Sequence, residues 1–330
     1  MHILVTGAAG YVGSTVVEYL LDQGEQVTGV DRLDFGGESL LPFWQKDDFR
    51  FEKVDLTEAI AVSEVFEKSK FDAIVHLAAI VGDPACTQAP EEARRVNWDA
   101  SVALLDQAVR HGVQRFVFAS TCSNYGKMNE AGGFVDENSP LNPVSLYAEL
   151  KVAFENHLQK RAQSEPTLCG TALRFATVYG VSPRMRFDLT VNEFVKDVSI
   201  GKRLGIYGEQ FWRPYCHVRD FANAFHTVLT ADKSKVDGEV FNIGDTSENY
   251  TKLMLWERIC EAVPSIEADF VHKDEDPRDY RVNCDKVKQV LGFHITRRVP
   301  DGIREIHEVV SSGVIQDPEN QRYYNIPHSD

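Results

Sequence analysis

The sequence predicts an α/β fold: a doubly wound parallel sheet with a smaller, mixed α/β lobe toward the C-terminus. Three observations carry this expectation. Short apolar runs alternate with helical stretches through the first 180 residues, the pattern of successive βαβ units wound right-handed into an open sheet. The strand-like runs are continuously apolar, as strands covered by helices on both faces are. After residue 180 the alternation gives way to a mixture of charge, aromatics and short elements.

The elements follow in order. HILVT (2–6) is apolar and β-branched and reads as a strand, and residues 13–23 carry an apolar face at helical spacing. QVTGVD (26–31) and FRFEKVDL (49–56) read as strands, and AIAVSEVFEKS (59–69) as a helix. DAIVHLAA (72–79) is a strand, 92–111 a helix, and RFVFAS (115–120) a strand. Residues 145–162 form a helix, and GTALRFATVYG (170–180) opens with a strand. The last part of the chain holds helical stretches at 251–262 and 285–291, and the tail RYYNIPHSD is expected to be partly disordered.

A chain of 330 residues suits one large unit or a main domain with a smaller one. No segment approaches the ~20 continuous apolar residues of a membrane span, and no secretory signal is visible. The expectation is a cytoplasmic protein with no membrane partner. A net charge of −15 argues against nucleic-acid binding, which needs a basic footprint. The six cysteines show no C-x-x-C pair and read as reduced thiols. The histidines are dispersed, so no metal site is expected.

Gly7, Gly10 and Gly13 stand between the first strand and the first helix. Gly7 permits a tight turn, Gly10 lets the backbone approach a pyrophosphate, and Gly13 lets the helix pack close to the sheet. The helix N-terminus, with the N–H groups of Tyr11 and Val12, offers donors and a positive dipole end to phosphate. Asp31, 18 residues after Gly13 at the end of the second strand, is placed to accept from an adenosine ribose. This arrangement is Rossmann-type. The Asp31 carboxylate repels a 2′-phosphate, so the expected cofactor is NAD, although Arg32 is a signal in the other direction. Asp55 and Leu56 end the third predicted strand. Two readings of Asp55 stand: a contact to the adenine edge, or an N-cap of the next helix. The domain division expected is 1–180 for the dinucleotide, with 214–245 returning to it, and 181–213 with 246–330 as substrate lobe.

Tyr147 and Lys151 lie four apart on a predicted helix and so share one face. An ammonium near a phenol favours phenolate; moving a tyrosine from ~10 toward 7 takes roughly 4 kcal/mol. Thr121 ends the strand RFVFAS, at the carboxyl edge that borders the crevice of such sheets. Its hydroxyl either holds a substrate oxygen beside Tyr147 or caps the turn after the strand.

These motifs together resemble the extended short-chain dehydrogenase/reductase superfamily, in its nucleotide-sugar epimerase/dehydratase branch. The resemblance rests on G-x-x-G-x-x-G, HLAA (76–79), S-T-x-x-x-Y-G (120–126) and Y-x-x-x-K. It extends through LRFATVYG (173–180), RPYCHVRD (213–220), FNIGD (241–245) and DPRDYRVNCDKVKQVLGF (276–293). It implies that Tyr147 is the acid/base, that Lys151 sets its pKa and holds the nicotinamide ribose, and that Thr121 bonds the reacting hydroxyl. It implies that Leu77, Ala78, Ala79 and Asn97 line the cofactor cleft. Val81, Cys122, Ser123, Thr177 and Asn192 fall at substrate positions, and Arg213 and Arg278 clamp the nucleotide diphosphate. It also implies a homodimer through a four-helix bundle built from the helices around 97–111 and 147–163.

Three departures from the branch bear on the reaction. Cys122-Ser123 replaces the Asp-Glu that 4,6-dehydratases carry after the threonine, which disfavours ordinary dehydration. Thr177 stands where an asparagine is expected, and Pro214 where an aspartate is. Arg184 and Arg186 are extra cations; they read either as partners for an acidic group on the sugar or as solvent-facing. The leading expectation is therefore an NAD-dependent C4 epimerase. Cys122 as a base would give instead a 3,5-epimerase or atypical dehydratase; its other reading is a buried, inert thiol. A single-step oxidoreductase and a catalytically silent NAD-binding regulator complete the alternatives.

Overall fold

In the computed structural model, which describes residues 1–128, 133–264, 266–276 and 278–326, seven strands form one parallel sheet. Their spatial order is Val240–Ile243, Cys169–Phe175, Arg115–Thr121, Ala73–His76, His2–Thr6, Gln26–Asp31 and Phe49–Lys53. The order reverses at His2–Thr6, which pairs with Gln26–Asp31 on one side and Ala73–His76 on the other. Ligand crevices of open α/β sheets form outside the carboxyl ends at such a reversal.

Both faces of the sheet are covered, as the continuous apolar strands require. Helices Tyr11–Asp22 and Val218–Thr230 cover one face with Val16, Val17, Leu20, Phe221 and Phe225. Helices Ala59–Lys68, Ser101–Arg110 and Leu146–Ser164 cover the other with Val62, Phe66, Leu104, Phe154 and Leu158. A third core joins helices Thr190–Ser199, Lys252–Ala262 and Val299–Ser311 through Val195, Ile259, Ile303 and Ile306. Two small sheets accompany it. Thr177–Tyr179, Trp212–His217 and Asn249–Thr251 form one, and Leu204–Tyr207 with Ala268–Val271 the other. Among the described residues no helix is long and apolar enough to cross a membrane.

Several elements differ from the expectation. The third and fourth strands end early, at Lys53 and His76. After His76 the N–H groups of Leu77 and Ala78 turn to the Thr6 hydroxyl instead of a ladder partner. The helix expected over 92–111 is three pieces: Pro90–Arg94, a π-helical turn Arg95–Ala100, and Ser101–Arg110. The helix Val299–Ser311 was not foreseen; Pro300 and Gly302 at its start mask it, yet proline is tolerated in a first turn. Gly302 is needed there, since a Cβ would come within 2.3 Å of the Tyr179 ring. The described part of the tail, up to residue 326, is packed. Tyr323 and Tyr324 are buried in the third core, and Phe187 N–H donates to the Tyr323 carbonyl at 2.9 Å. Residues 327–330 lie outside the described residues.

One polar network crosses the helix-covered interior. Glu155, on Leu146–Ser164, and Arg174, on Cys169–Phe175, form a buried ion pair at 2.8 Å. Glu155 also accepts from the Ser120 hydroxyl and the Asn124 amide, and Arg174 donates to the Tyr125 phenol at 3.1 Å. Tyr125 in turn donates to Asn242 on the edge strand at 2.7 Å. Removing one member leaves an uncompensated buried charge. Glu155→Ala should therefore lose about 3–5 kcal/mol in urea unfolding; a loss below about 1 kcal/mol would show that the network does not hold the helix.

Candidate functional site

The glycine loop is built as the spacing predicts. Gly7 has a left-handed φ of +71°, and a Cβ there would stand 2.9 Å from the Ala78 nitrogen. A Cβ on Gly13 would stand 1.9 Å from the Gly7 carbonyl oxygen. Only glycine allows this double close approach of loop, helix and neighbouring strand end. Helix Tyr11–Asp22 starts at Gly10 with no side-chain cap, so its first-turn N–H groups remain available to an anion.

Asp31 accepts from Ala9 N–H at 3.0 Å and Leu33 N–H at 2.7 Å. Burial raises its pKa, against these two bonds. A carboxylate has about four lone-pair sites, so capacity remains for ribose hydroxyls. Arg32 is engaged by Asp34, by Glu92 at 3.0 Å and by Asp55 at 3.6 Å. With three carboxylates around it, its guanidinium is already neutralised. Asp55 accepts from the Thr57 N–H and hydroxyl, while the following helix is capped at Glu58. The N-cap reading of Asp55 is therefore corrected: it closes a turn one step earlier. Leu56 packs against the core that contains Leu4, Val30 and Val62.

At the next strand end, Thr6 Oγ1 lies 2.8 Å from His76 Nδ1, and His76 Nε2 lies 2.8 Å from the Ser101 hydroxyl. Burial pushes His76 down to about 3, with Lys151 a smaller cause, so the ring is neutral. Asn97, on the π-helical turn, is spent on Ile80: its Oδ1 accepts from the Ile80 N–H at 2.8 Å and its amide donates to the Ile80 carbonyl at 2.9 Å. It braces the backbone at Ile80, the residue after Ala79. Val81, beyond it, is exposed.

Ser145 caps helix Leu146–Ser164, accepting from Ala148 N–H. One turn in, Lys151 is 4% exposed and its Nζ donates to the Ala119 carbonyl at 2.7 Å. The same Nζ lies 4.6 Å from the Phe118 ring centre and 5.8 Å from that of Tyr147. Burial lowers Lys151 to about 8. Burial raises the Tyr147 phenol, Cys86 and Asp83 raise it further, and Arg186 opposes them. Thr121, two residues past Ala119, accepts from Ser123 N–H at 3.1 Å. Its second lone pair and its proton are not used by that bond, so the cap and a substrate contact are compatible.

Arg213 and Arg278 come together on Asp276. Arg213 Nη2 lies 2.7 Å from Asp276 Oδ2, and Arg278 Nε 3.8 Å from Oδ1. Arg278 also reaches Asp83 at 3.2 Å, and Asp83 accepts from the Ser145 hydroxyl at 2.6 Å. Arg213 stacks over Tyr280 at 5.5 Å. Thr177 is half-buried, on a strand paired with Tyr215.

Burial bears on three sequence readings: it overturns the one for Asn192, leaves Tyr11 its backbone role, and favours the inert-thiol reading of Cys122. Asn192 is 0% exposed; its amide is bonded to Gly180, Tyr11 and Arg186, leaving nothing for a diphosphate. Tyr11 turns its side chain inward, donating to the Gly180 carbonyl at 2.6 Å, so only its backbone faces the loop. Cys122 is 1% exposed and donates to the Arg174 carbonyl at 3.2 Å. Burial pushes its thiol up, far from the range of a base. Arg186 is held by Asp188 at 2.8 Å, and Arg184 lies under the Phe35 ring, so neither faces solvent freely. Sequence reasoning missed Asp83, Asp276, Tyr280, His76 and Glu155. His76, Asp276 and Tyr280 lie inside quoted motifs without being singled out, and Glu155 had a local signal, lying four residues after Lys151 on the same helical face.

The depressed Lys151 gives a stability signature. Between pH 8 and about 10.5 the unfolded chain holds a proton that the folded site has lost, so stability rises with pH across that window. Without cofactor, Lys151→Met should remove this rise, seen as wild-type-minus-variant differences in urea unfolding at pH 7, 8, 9 and 10. Parallel curves for the two proteins would contradict it.

Comparison with known proteins agrees with this geometry. Residues 3–244 match the family described as NAD dependent epimerase/dehydratase. A UDP-glucose 4-epimerase of Halalkalibacterium halodurans is 29% identical, over 89% of this chain and 90% of that protein. A dTDP-glucose 4,6-dehydratase of Streptomyces niveus is 32% identical, over 93% of this chain and 92% of its own length. The structure of a Thermus thermophilus UDP-glucose 4-epimerase in complex with NAD superposes with a TM-score of 0.83 at 28% identity, covering 95% of this chain and 99% of that one.

Proposed function

The chain belongs to the NAD dependent epimerase/dehydratase family, and we propose that within it the protein is a nucleotide-sugar 4-epimerase. One observation carries the reading. The position after Thr121, close to Tyr147 and Lys151 in the family's motif, offers a buried, hydrogen-bonded thiol instead of a carboxyl group, which leaves Tyr147 as the candidate acid/base. Eliminating water needs a second acid/base; moving a hydroxyl from one face of C4 to the other does not.

The residues present fit NAD. The uncapped helix start, the close-approach glycines and the spare acceptor capacity of Asp31 match a pyrophosphate and a ribose. Bound there, NAD supplies a reversible acceptor for the hydrogen of the carbinol carbon. Tyr147 takes the hydroxyl proton at its phenolic oxygen and later returns it. The Lys151 ammonium, anchored at Ala119 and 5.8 Å from the Tyr147 ring centre, is the cation that would favour the phenolate once the site is loaded. Thr121 orients the reacting oxygen. Arg213 and Arg278 hold the substrate diphosphate as it displaces the Asp276 and Asp83 carboxylates from their guanidinium groups.

Proton NMR with UDP-, dTDP-, GDP- and CDP-sugars in D2O tests the reading. The expected product is a C4 epimer with no deuterium on carbon; deuterium at C3 or C5 would overturn it. Tyr147→Phe should lower turnover about 10²- to 10⁴-fold with NAD still bound. Arg213→Ala should raise KM more than it changes kcat. The helices around 97–111 and 147–163 remain the proposed dimer contact, which sedimentation would reveal.

A further inference from the structure

Arg184 is a buried cation with no ion-pair partner among the described residues. It is 7% exposed, and its Nε and Nη2 have no hydrogen-bond acceptor among the described residues. Its surroundings are not loose. Met185 and Phe187 beside it are anchored in the third core. The preceding segment is fastened to the glycine-loop helix: Ser182 donates to the Tyr11 carbonyl at 2.6 Å and lies 3.2 Å from the Ser14 hydroxyl. Val181 N–H is held by Glu305 at 2.8 Å. Arg186, two residues on, has a bidentate partner in Asp188; Arg184 has only the Phe35 ring, 4.4 Å from its Cζ.

Burying a guanidinium with unpaired N–H groups is costly, and one aromatic face offsets part of that cost. Burial lowers Arg184 to about 10, Arg186 lowers it further, and Asp188 and Asp31 pull the other way. Asp31 is close enough to be felt, yet its oxygens are turned to Ala9 and Leu33. Phe35 follows Asp31 on the same loop. The group is thus placed at the dinucleotide end of the cleft, not over the sugar as one sequence reading had it.

We propose that Arg184 is a ligand of the NAD pyrophosphate, gripping it together with the N-terminus of helix Tyr11–Asp22 while Phe35 covers the guanidinium. A 2′-phosphate is the less suitable anion, because the Asp31 carboxylate repels it. The segment 181–186 then ties cofactor retention to the third core. This stands apart from the 4-epimerase reading, since it does not depend on which carbon reacts.

The test is binding. Calorimetry on cofactor-stripped wild type, Arg184→Met and Arg184→Lys would use NAD+, NADP+ and adenosine. Two charge-assisted bonds lost should weaken NAD+ about 10- to 100-fold in Arg184→Met, with adenosine unchanged and Arg184→Lys intermediate. The stripped Arg184→Met protein should melt no lower than wild type, because an unpaired buried charge has been removed. Exposed Arg203, paired with Glu267 and Asp269, supplies the control Arg203→Met. NAD+ affinity within twofold of wild type, an equal loss for adenosine, a larger loss for NADP+, or a lower melting temperature of the stripped variant would each overturn the proposal.

Discussion

The buried Glu155–Arg174 pair is the constraint on which the site depends. Tyr147 and Lys151 work only if their helix keeps one axial position against the ends of the fifth and sixth strands. Apolar packing through Phe154 and Leu158 would tolerate a small slide or roll. A carboxylate that must satisfy Ser120, Asn124 and Arg174 at once would not. The network reaches Tyr125 and Asn242, so the helix, two central strands, the turn after Thr121 and the edge strand share one register. A buried ion pair adds little net stability over an apolar replacement; here its value is directional.

The site's charge runs against that of the whole chain. A protein of net charge −15 gathers Lys151, Arg184, Arg213 and Arg278 around one crevice. Three of these are engaged by protein acceptors: Lys151 by a carbonyl, Arg213 and Arg278 by Asp276 and Asp83. An incoming diphosphate therefore exchanges with internal carboxylates, and the cost of baring the guanidinium groups is never met in full. His76 contributes no charge. Held neutral between Thr6 and Ser101, it acts as a rigid spacer between the first strand and the helix behind the cleft.

What was legible in the sequence was local. The glycine spacing, Asp31 at a strand end, and Tyr147 with Lys151 at four residues each express a geometry set by neighbouring backbone, and the structure places them as that geometry requires. The parallel sheet followed from the apolar runs for the same reason. Burial was not legible. Asn192 and Cys122 occupy positions that a motif places at a ligand, and only packing reveals that their polar atoms are spent on the Gly180 N–H, the Arg174 carbonyl and neighbours. Asp83 was invisible because its meaning comes from a partner far along the chain: Asp83 and Arg278 are 195 residues apart. The packing of Tyr323 and Tyr324 was hidden for a related reason. A polar-looking stretch carried two tyrosines whose pocket is built by helices elsewhere.

The π-helical turn at Arg95–Ala100 has a geometric consequence. One extra residue in a helical turn rotates every later side chain by about 100° relative to those before it. The helix is thereby split into two phases. Asn97 looks toward the loop at Ile80, while Leu104 and Leu105 look toward the sheet. An uninterrupted helix through the same residues could not satisfy both directions. The turn works as a phase shifter: it lets one continuous rod serve the crevice with its first half and the interior with its second.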